Sequence, residues 1–130
     1  MRFFQSLTHF VRNTLGRVFV AFSSIHIESS LPTRLVMNVN GRSLTIDKSS
    51  QTIASPGQSI ARFGAIEFIE IEQWQNGKGY QWWVINLRFA REGCLRVGRT
   101  ANDAQASIAA AHLGTITGKE VRVQRKWSAI

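Results

Sequence analysis

The spacing of apolar positions changes once along this chain, and the change divides it in two. Between residues 3 and 22, Phe3, Leu7, Phe10, Val11, Leu15, Val18 and Phe22 recur every three or four residues, the spacing of one face of an α-helix. Arg2, Ser6, His9, Asn13 and Arg17 fall mostly on the opposite side. The pattern predicts an amphipathic helix over residues 2–15. Gly16 weakens its continuation, and residues 18–22 are β-branched and aromatic enough for a strand, so residues 17–27 stay open between the two. Residues 28–33 read as a connector with Pro32 as its breaker. The division is therefore an N-terminal helix with connector over 1–30 and a β-domain over 31–130.

From Leu35 the period becomes two. Residues 35–39 form a first strand, and Asn40-Gly41 supplies a tight turn because both residues tolerate positive φ. Residues 43–47 then pair with 51–54 across a turn opened by Asp47, whose carboxylate reaches its own backbone two residues on. Pro56-Gly57 closes that hairpin, and residues 60–63 follow as a strand. Over residues 65–74 the alternation slips: Ile66 and Phe68 share one side and Ile69 and Ile71 the other, which predicts a bulge near Phe68. Asn76-Gly77-Lys78-Gly79 turns the chain into residues 80–89. There Trp83, Ile85, Leu87 and Phe89 make an apolar face, with Tyr80, Trp82, Val84, Asn86 and Arg88 behind them as an outward, mixed one. Residues 94–97 complete the run.

A helix follows. Thr100 and Asp103 have capping-box spacing, with Asp in place of Glu. Residues 104–113 carry no permanently charged side chain, and Ile108 and Leu113 are the bulky members, so burial on more than one side is expected. Gly114 reads as the C-cap, Val121 and Val123 as part of a final strand, and Arg125-Lys126-Trp127 as a basic tail.

Composition narrows the partners more than the fold. Sixteen Lys and Arg against eight Asp and Glu give a net charge of +8, which draws a protein of this size to polyanions. The single cysteine, Cys94, allows no internal disulfide and fits a reducing compartment. Three scattered histidines give no zinc-ligand spacing. The longest uninterrupted apolar run, residues 18–22, is far short of the roughly twenty residues of a membrane span. No apolar segment with a small-residue cleavage site marks a secretory signal. A cytoplasmic protein, soluble or on the membrane surface, is the expectation.

The order of LTIDKSSQTI (44–53), FGAIEFIEI (63–71), YQWWVINLRF (80–89), LRVGRTANDAQA (95–106) and AAHLGTITGKEV (110–121) resembles the pleckstrin-homology-like domains of bacterial proteins. The likeness covers about residues 35–124. It implies a mainly β fold, a barrel or sandwich of two roughly orthogonal antiparallel sheets, with a C-terminal α-helix plug. It also implies a non-catalytic role in binding or assembly. Many such domains are attached to transmembrane helices, whereas this chain has only its amphipathic segment. The first two strands are joined without the dense Lys and Arg run that holds inositol phosphates in eukaryotic relatives; only Arg42 and Lys48 lie in that region.

The candidate contact residues are Arg2, Phe3, Phe4, Leu7, Phe10, Arg12 and Arg17 of the N-terminal segment, with Tyr80, Trp82, Arg88 and Arg96 of the β-domain. The N-terminal set has three readings: an anchor lying on anionic lipid, a docking helix for a partner or a second copy, or a cover over the strand face bearing Trp82. Arg88 and Arg96 fall outward on consecutive strands. With Arg62, Arg91 and Arg99 they are an anion-binding patch, or else a solvated face partly neutralised by Glu67, Glu70 and Glu72. Trp82 and Tyr80 beside Arg88 also suit single-stranded nucleic acid, although no RNP, KH or helix-turn-helix pattern accompanies them. Cys94 and His112 carry no nucleophile signature. The expectation is a non-enzymatic module without cofactor, metal or small-molecule substrate. It would act on a protein complex or an anionic membrane surface, with nucleic acid as the alternative and a homo-oligomer allowed.

Overall fold

A computed structural model describes residues 24–129. The expected N-terminal helix, and with it Arg2, Phe3, Phe4, Leu7, Phe10, Arg12 and Arg17, lies outside the described residues. Within them the fold is mainly β, with two sheets and one α-helix and no closed barrel.

The first sheet is an antiparallel meander of β1 (Ile25–Leu31), β2 (Arg34–Val39), β3 (Arg42–Asp47), β4 (Thr52–Ser55) and β5 (Gln58–Arg62). Period-two burial drives it: Leu35, Met37 and Val39 of β2, Leu44 and Ile46 of β3 and Ile53 of β4 all face inward. Its turns follow their residues. Asn40 and Gly41 take φ of 51° and 86°, and Asp47 Oδ1 accepts from the Ser49 N–H at 2.8 Å. The supposed connector is a strand. Residues 28–31 belong to β1, whose Ile25 pairs with Val39 and whose Leu31 pairs with Arg34. Pro32 sits in the tight β1–β2 turn, where its missing N–H costs no ladder bond.

The second sheet has the order β8-β7-β6-β9, from β6 (Ile66–Asn76), β7 (Gln81–Phe89), β8 (Cys94–Thr100) and β9 (Val121–Ser128). The register between β6 and β7 shifts between Ile66 and Phe68, the bulge that the sequence predicts. Its effect is to bring Ile66 onto the side of Ile69 and Ile71, since these three pair with Phe89, Leu87 and Ile85 of the apolar face. Phe68, Glu70 and Glu72 are left on the outer side. The final strand is a full eight residues, runs parallel to β6 and forms the sheet edge. The helix is therefore not the last element, and this sheet is mixed rather than antiparallel.

The helix α1 (Asp103–Thr117) joins β8 to β9. Its N-cap is Asn102, which accepts from the Gln105 N–H at 3.0 Å, while Thr100 Oγ1 donates to Gln105 Oε1 at 2.7 Å. The shorter Asp103 side chain is thus replaced in the expected capping role. The helix ends at Gly118, with φ 73°, and not at Gly114. Gly114 has a different use: a Cβ there would stand 3.0 Å from the Lys119 carbonyl oxygen and from Val121 Cγ2, so its absence lets the returning chain pass close to the helix. Ala106, Ala109, Ala110, Leu113, Ile116 and Thr117 are buried, but Ile108 is exposed. Burial is on one broad face, not all round. That face packs on both sheets, and the core lies between them. At the β8 end the sheets nearly touch, because a Cβ on Gly98 would overlap Val39 Cγ1.

Candidate functional site

Two surfaces of the second sheet differ from ordinary solvated faces, and both begin with alternation along its strands. The first is the outer face, opposite α1. Pairing brings Phe68, Glu70, Glu72 and Trp74 of β6 beside Arg88, Asn86, Val84 and Trp82 of β7, and Arg96 and Arg99 of β8 beside Asn86 and Val84. The sequence predicts an outward, mixed face here, and several of its side chains are buried. Val84 is 1% exposed, Asn86 2% and Glu70 4%.

The polar groups on this face are organised as a network. Glu70 Oε1 accepts from Arg88 Nε at 2.9 Å and from Asn86 Nδ2 at 3.0 Å. Arg88 Nη2 stands 3.8 Å from Glu72 Oε2, and Trp74 Nε1 donates to Glu72 Oε1 at 3.1 Å. Two buried carboxylates thus share one guanidinium, whose fork suits both. The hydrogen bond to Glu70 raises the Arg88 pKa from its ordinary value, with Cys94 and both carboxylates adding to the effect. Arg88 is therefore engaged with Glu70 and Glu72 at this face, its side chain 26% exposed. Arg62 lies on β5 of the other sheet, and Arg91 in the β7–β8 turn. Arg96 is exposed, on the Arg88 side of β8. Arg99 is held differently: its guanidinium lies 4.9 Å from the Trp82 ring centroid, and burial, with Arg96 beside it, lowers its pKa to about 10.

Trp82 is not bare. It stacks on Trp74 at 5.9 Å with rings 2° from parallel, and Arg99 covers it. A base-stacking platform needs an open ring face, and on half-buried Trp82 the protein's own Trp74 and Arg99 compete for that surface. Tyr80, by contrast, is 66% exposed. Cys94 is exposed at the start of edge strand β8. His112 is on α1, with Nδ1 3.1 Å from Ser30 Oγ. Among the described residues no group of three or more His, Cys, Asp or Glu is placed to hold a metal ion. None of their helices is long and apolar enough to cross a membrane.

The second surface is β9, which sequence reasoning took mostly for a basic tail. Among the described residues it pairs only with β6 and so forms a sheet edge. Val123 is 64% exposed and Trp127 65%. With Val121 and Arg125 they alternate along one side of the strand, while Arg122, Gln124 and Lys126 occupy the other. Arg122 is already engaged, 2.6 Å from Glu120 and over the Phe68 ring at 4.1 Å. Arg125 is exposed. Trp127 pairs with Gln75 and Ser128 with Asn76, and the Asn76 N–H donates to the Tyr80 carbonyl. Tyr80 and Trp127, the two most exposed aromatics among the described residues, therefore stand at the same end of the sheet. The signal was present as the spacing Val121, Val123, Trp127, but intervening charges masked it.

An open groove of about 540 Å³ lies elsewhere, between the β1–β2 turn and α1, lined by Leu31, Pro32, Lys48, His112 and Ile116 among others. Comparison with protein-family models, with curated proteins and with solved structures finds no match to this chain.

Proposed function

We propose that this protein is a non-catalytic binding or assembly module that docks an acidic, extended segment of a protein partner along β9. One observation carries the reading: an eight-residue edge strand bears Val123 and Trp127 in the open. Edge strands left exposed and apolar pair readily with other chains, and strand addition supplies main-chain hydrogen bonds while alternate side chains supply specificity. Arg125 and Lys126 favour an acidic partner. The same charges oppose a second copy, since a two-fold pairing of β9 with itself would set like charges together.

The pleckstrin-homology-like assignment belongs to this proposal. Two sheets with a helix packed on both support it, while the parallel strand after the helix departs from a terminal plug. A cytoplasmic setting, with the membrane surface as the rival site of action, is likewise part of it. The internal use of Trp82 and Arg88 weighs against single-stranded nucleic acid.

The test sets three probes against the full chain under the same salt: vesicles containing phosphatidylglycerol, an oligothymidine strand, and a peptide alternating Glu with Val. The proposal expects the peptide to bind and to compete away any weak electrostatic adsorption of the other two. Binding of vesicles or oligonucleotide that the peptide leaves untouched would contradict it.

A further inference from the structure

The groove between the β1–β2 turn and α1 has the make-up of a small-ligand site. Its volume is about 540 Å³, within the roughly 300–1,000 Å³ of clefts that take small molecules. Leu35 and Ile116 reach it from the core and give it an apolar floor. Leu31 and Pro32 of the turn and Ala111 of the helix form its walls. Leu31 is 59% exposed, and Ile108, one turn before Ala111 on the same side of α1, is 52% exposed. An alkyl chain laid in the groove meets apolar surface on its floor and both walls, and takes Leu31 out of water.

The polar groups of the groove are few. The Lys48 N–H donates to the Thr33 carbonyl at 2.8 Å, which ties the β3–β4 turn to the β1–β2 turn and brings Lys48 to the groove. The neighbouring Asp47 carboxylate is turned into its own turn, where it accepts from the Ser49 and Ser50 N–H groups. On the helix side, His112 Nδ1 lies 3.1 Å from Ser30 Oγ, and Thr115 adds a hydroxyl. Among the described residues no acid lines the groove and Lys48 enters no ion pair. An apolar bed with one unpaired ammonium and three further hydrogen-bonding side chains is complementary to an anion with an apolar tail.

We propose that this groove binds a free carboxylate bearing an alkyl chain of medium length, its carboxylate on Lys48 and its chain along Leu31, Ala111 and Ile116. A carboxylate only accepts hydrogen bonds, and the Lys48 ammonium only donates them, so the pair is charge-assisted. A peptide entering by its C-terminus is disfavoured: its amide groups would lie on Leu31, Pro32 and Ala111, whose side chains offer no hydrogen-bonding partner. None of the residues lining the groove belongs to β9. Ligand binding here and peptide docking there therefore stand or fall separately.

The probe is octanoate, titrated into the isotope-labelled full chain, with octylammonium as the same tail under the opposite charge. The expected result is saturable shifts of the Leu31, Leu35, Lys48, Ala111 and Ile116 amides at about millimolar octanoate, and none of these with octylammonium. Lys48→Glu should weaken octanoate binding about ten-fold or more. Lys78→Glu makes the same change of net charge in the β6–β7 turn and should leave binding unaltered. Ala111→Trp, at an exposed helix position, should fill the groove and abolish the shifts while the amides of β6 and β7 stay in place. Shifts that do not saturate, an equal response to octylammonium, equal losses in the two Lys variants, or binding that survives Ala111→Trp would each overturn the proposal. Displacement of octanoate by a far lower concentration of a peptide ending in a free Leu carboxylate would also overturn it, in favour of a peptide terminus.

Discussion

Replacing Arg88 by Met tests whether the outer-face network is structural. The substitution keeps most of the side-chain length and removes the guanidinium. It leaves Glu70 with only the Asn86 amide, and Glu72 with only the Trp74 N–H. Charges about 4 Å apart at an effective dielectric near 20 attract by about 4 kcal/mol. Removing one partner of a buried pair typically costs about 3–5 kcal/mol. The side chain of Arg88 is 26% exposed, however, against 6% for that of Glu70, so water reaches part of the vacated space and lowers the cost. About 2–3 kcal/mol is the expected loss, seen as a lower urea midpoint with unchanged slope. In melting temperature that is about 6–15 °C for a domain of this size. Adding Glu70→Gln to Arg88→Met should cost less than the sum of the two single changes by at least about 1 kcal/mol. A loss under about 0.5 kcal/mol, the scale of an exposed ion pair, would refute the argument.

Three further outcomes follow from packing. Gly98→Ala should destabilise by about 1–3 kcal/mol through overlap with Val39 Cγ1, and Val39→Ala in the same chain should recover part of that loss; chemical denaturation of both single variants and the double reads it. Gly118→Ala, at φ 73°, should cost about 1 kcal/mol by placing a Cβ in the left-handed region, with faster amide exchange confined to the last turn of α1. Leu113→Ala empties a fully buried site between the sheets and should cost about 2–5 kcal/mol in thermal or urea unfolding.

What the sequence made legible was local. Asn40-Gly41 and Asp47 announce their turns because the chemistry of a tight turn sits in the turn residues themselves. The bulge before Phe68 is visible because one extra residue breaks a period of two. What stayed hidden depends on neighbours distant in sequence. Gly114 and Gly118 are four residues apart, and only the path of the chain through Lys119 and Val121 decides which one ends the helix. Ile108 looks as apolar as Leu113, but it falls on the side of α1 that neither sheet covers. The outer face of β7 reads as mixed because Trp82, Val84, Asn86 and Arg88 alternate with a fully apolar row. Only the pairing with β6, which brings Glu70 and Glu72 across from Asn86 and Val84, shows Arg88 engaged internally instead of offered to a ligand. Part of the docking surface was overlooked for the converse reason: the charges of β9 conceal the continuation beyond Val123 of a strand, whose parallel pairing comes from the crossover through α1.

Hydrogen exchange along β9, with and without the Glu–Val peptide, tests the docking reading most directly. The account predicts that the peptide slows exchange of alternate amides in Val121–Ser128 and leaves β8, the opposite edge, unchanged. Trp127→Ala should then weaken peptide binding by about 2 kcal/mol, roughly thirty-fold, as expected for an exposed aromatic anchor. Protection elsewhere on the domain, or unaltered affinity without Trp127, would contradict it.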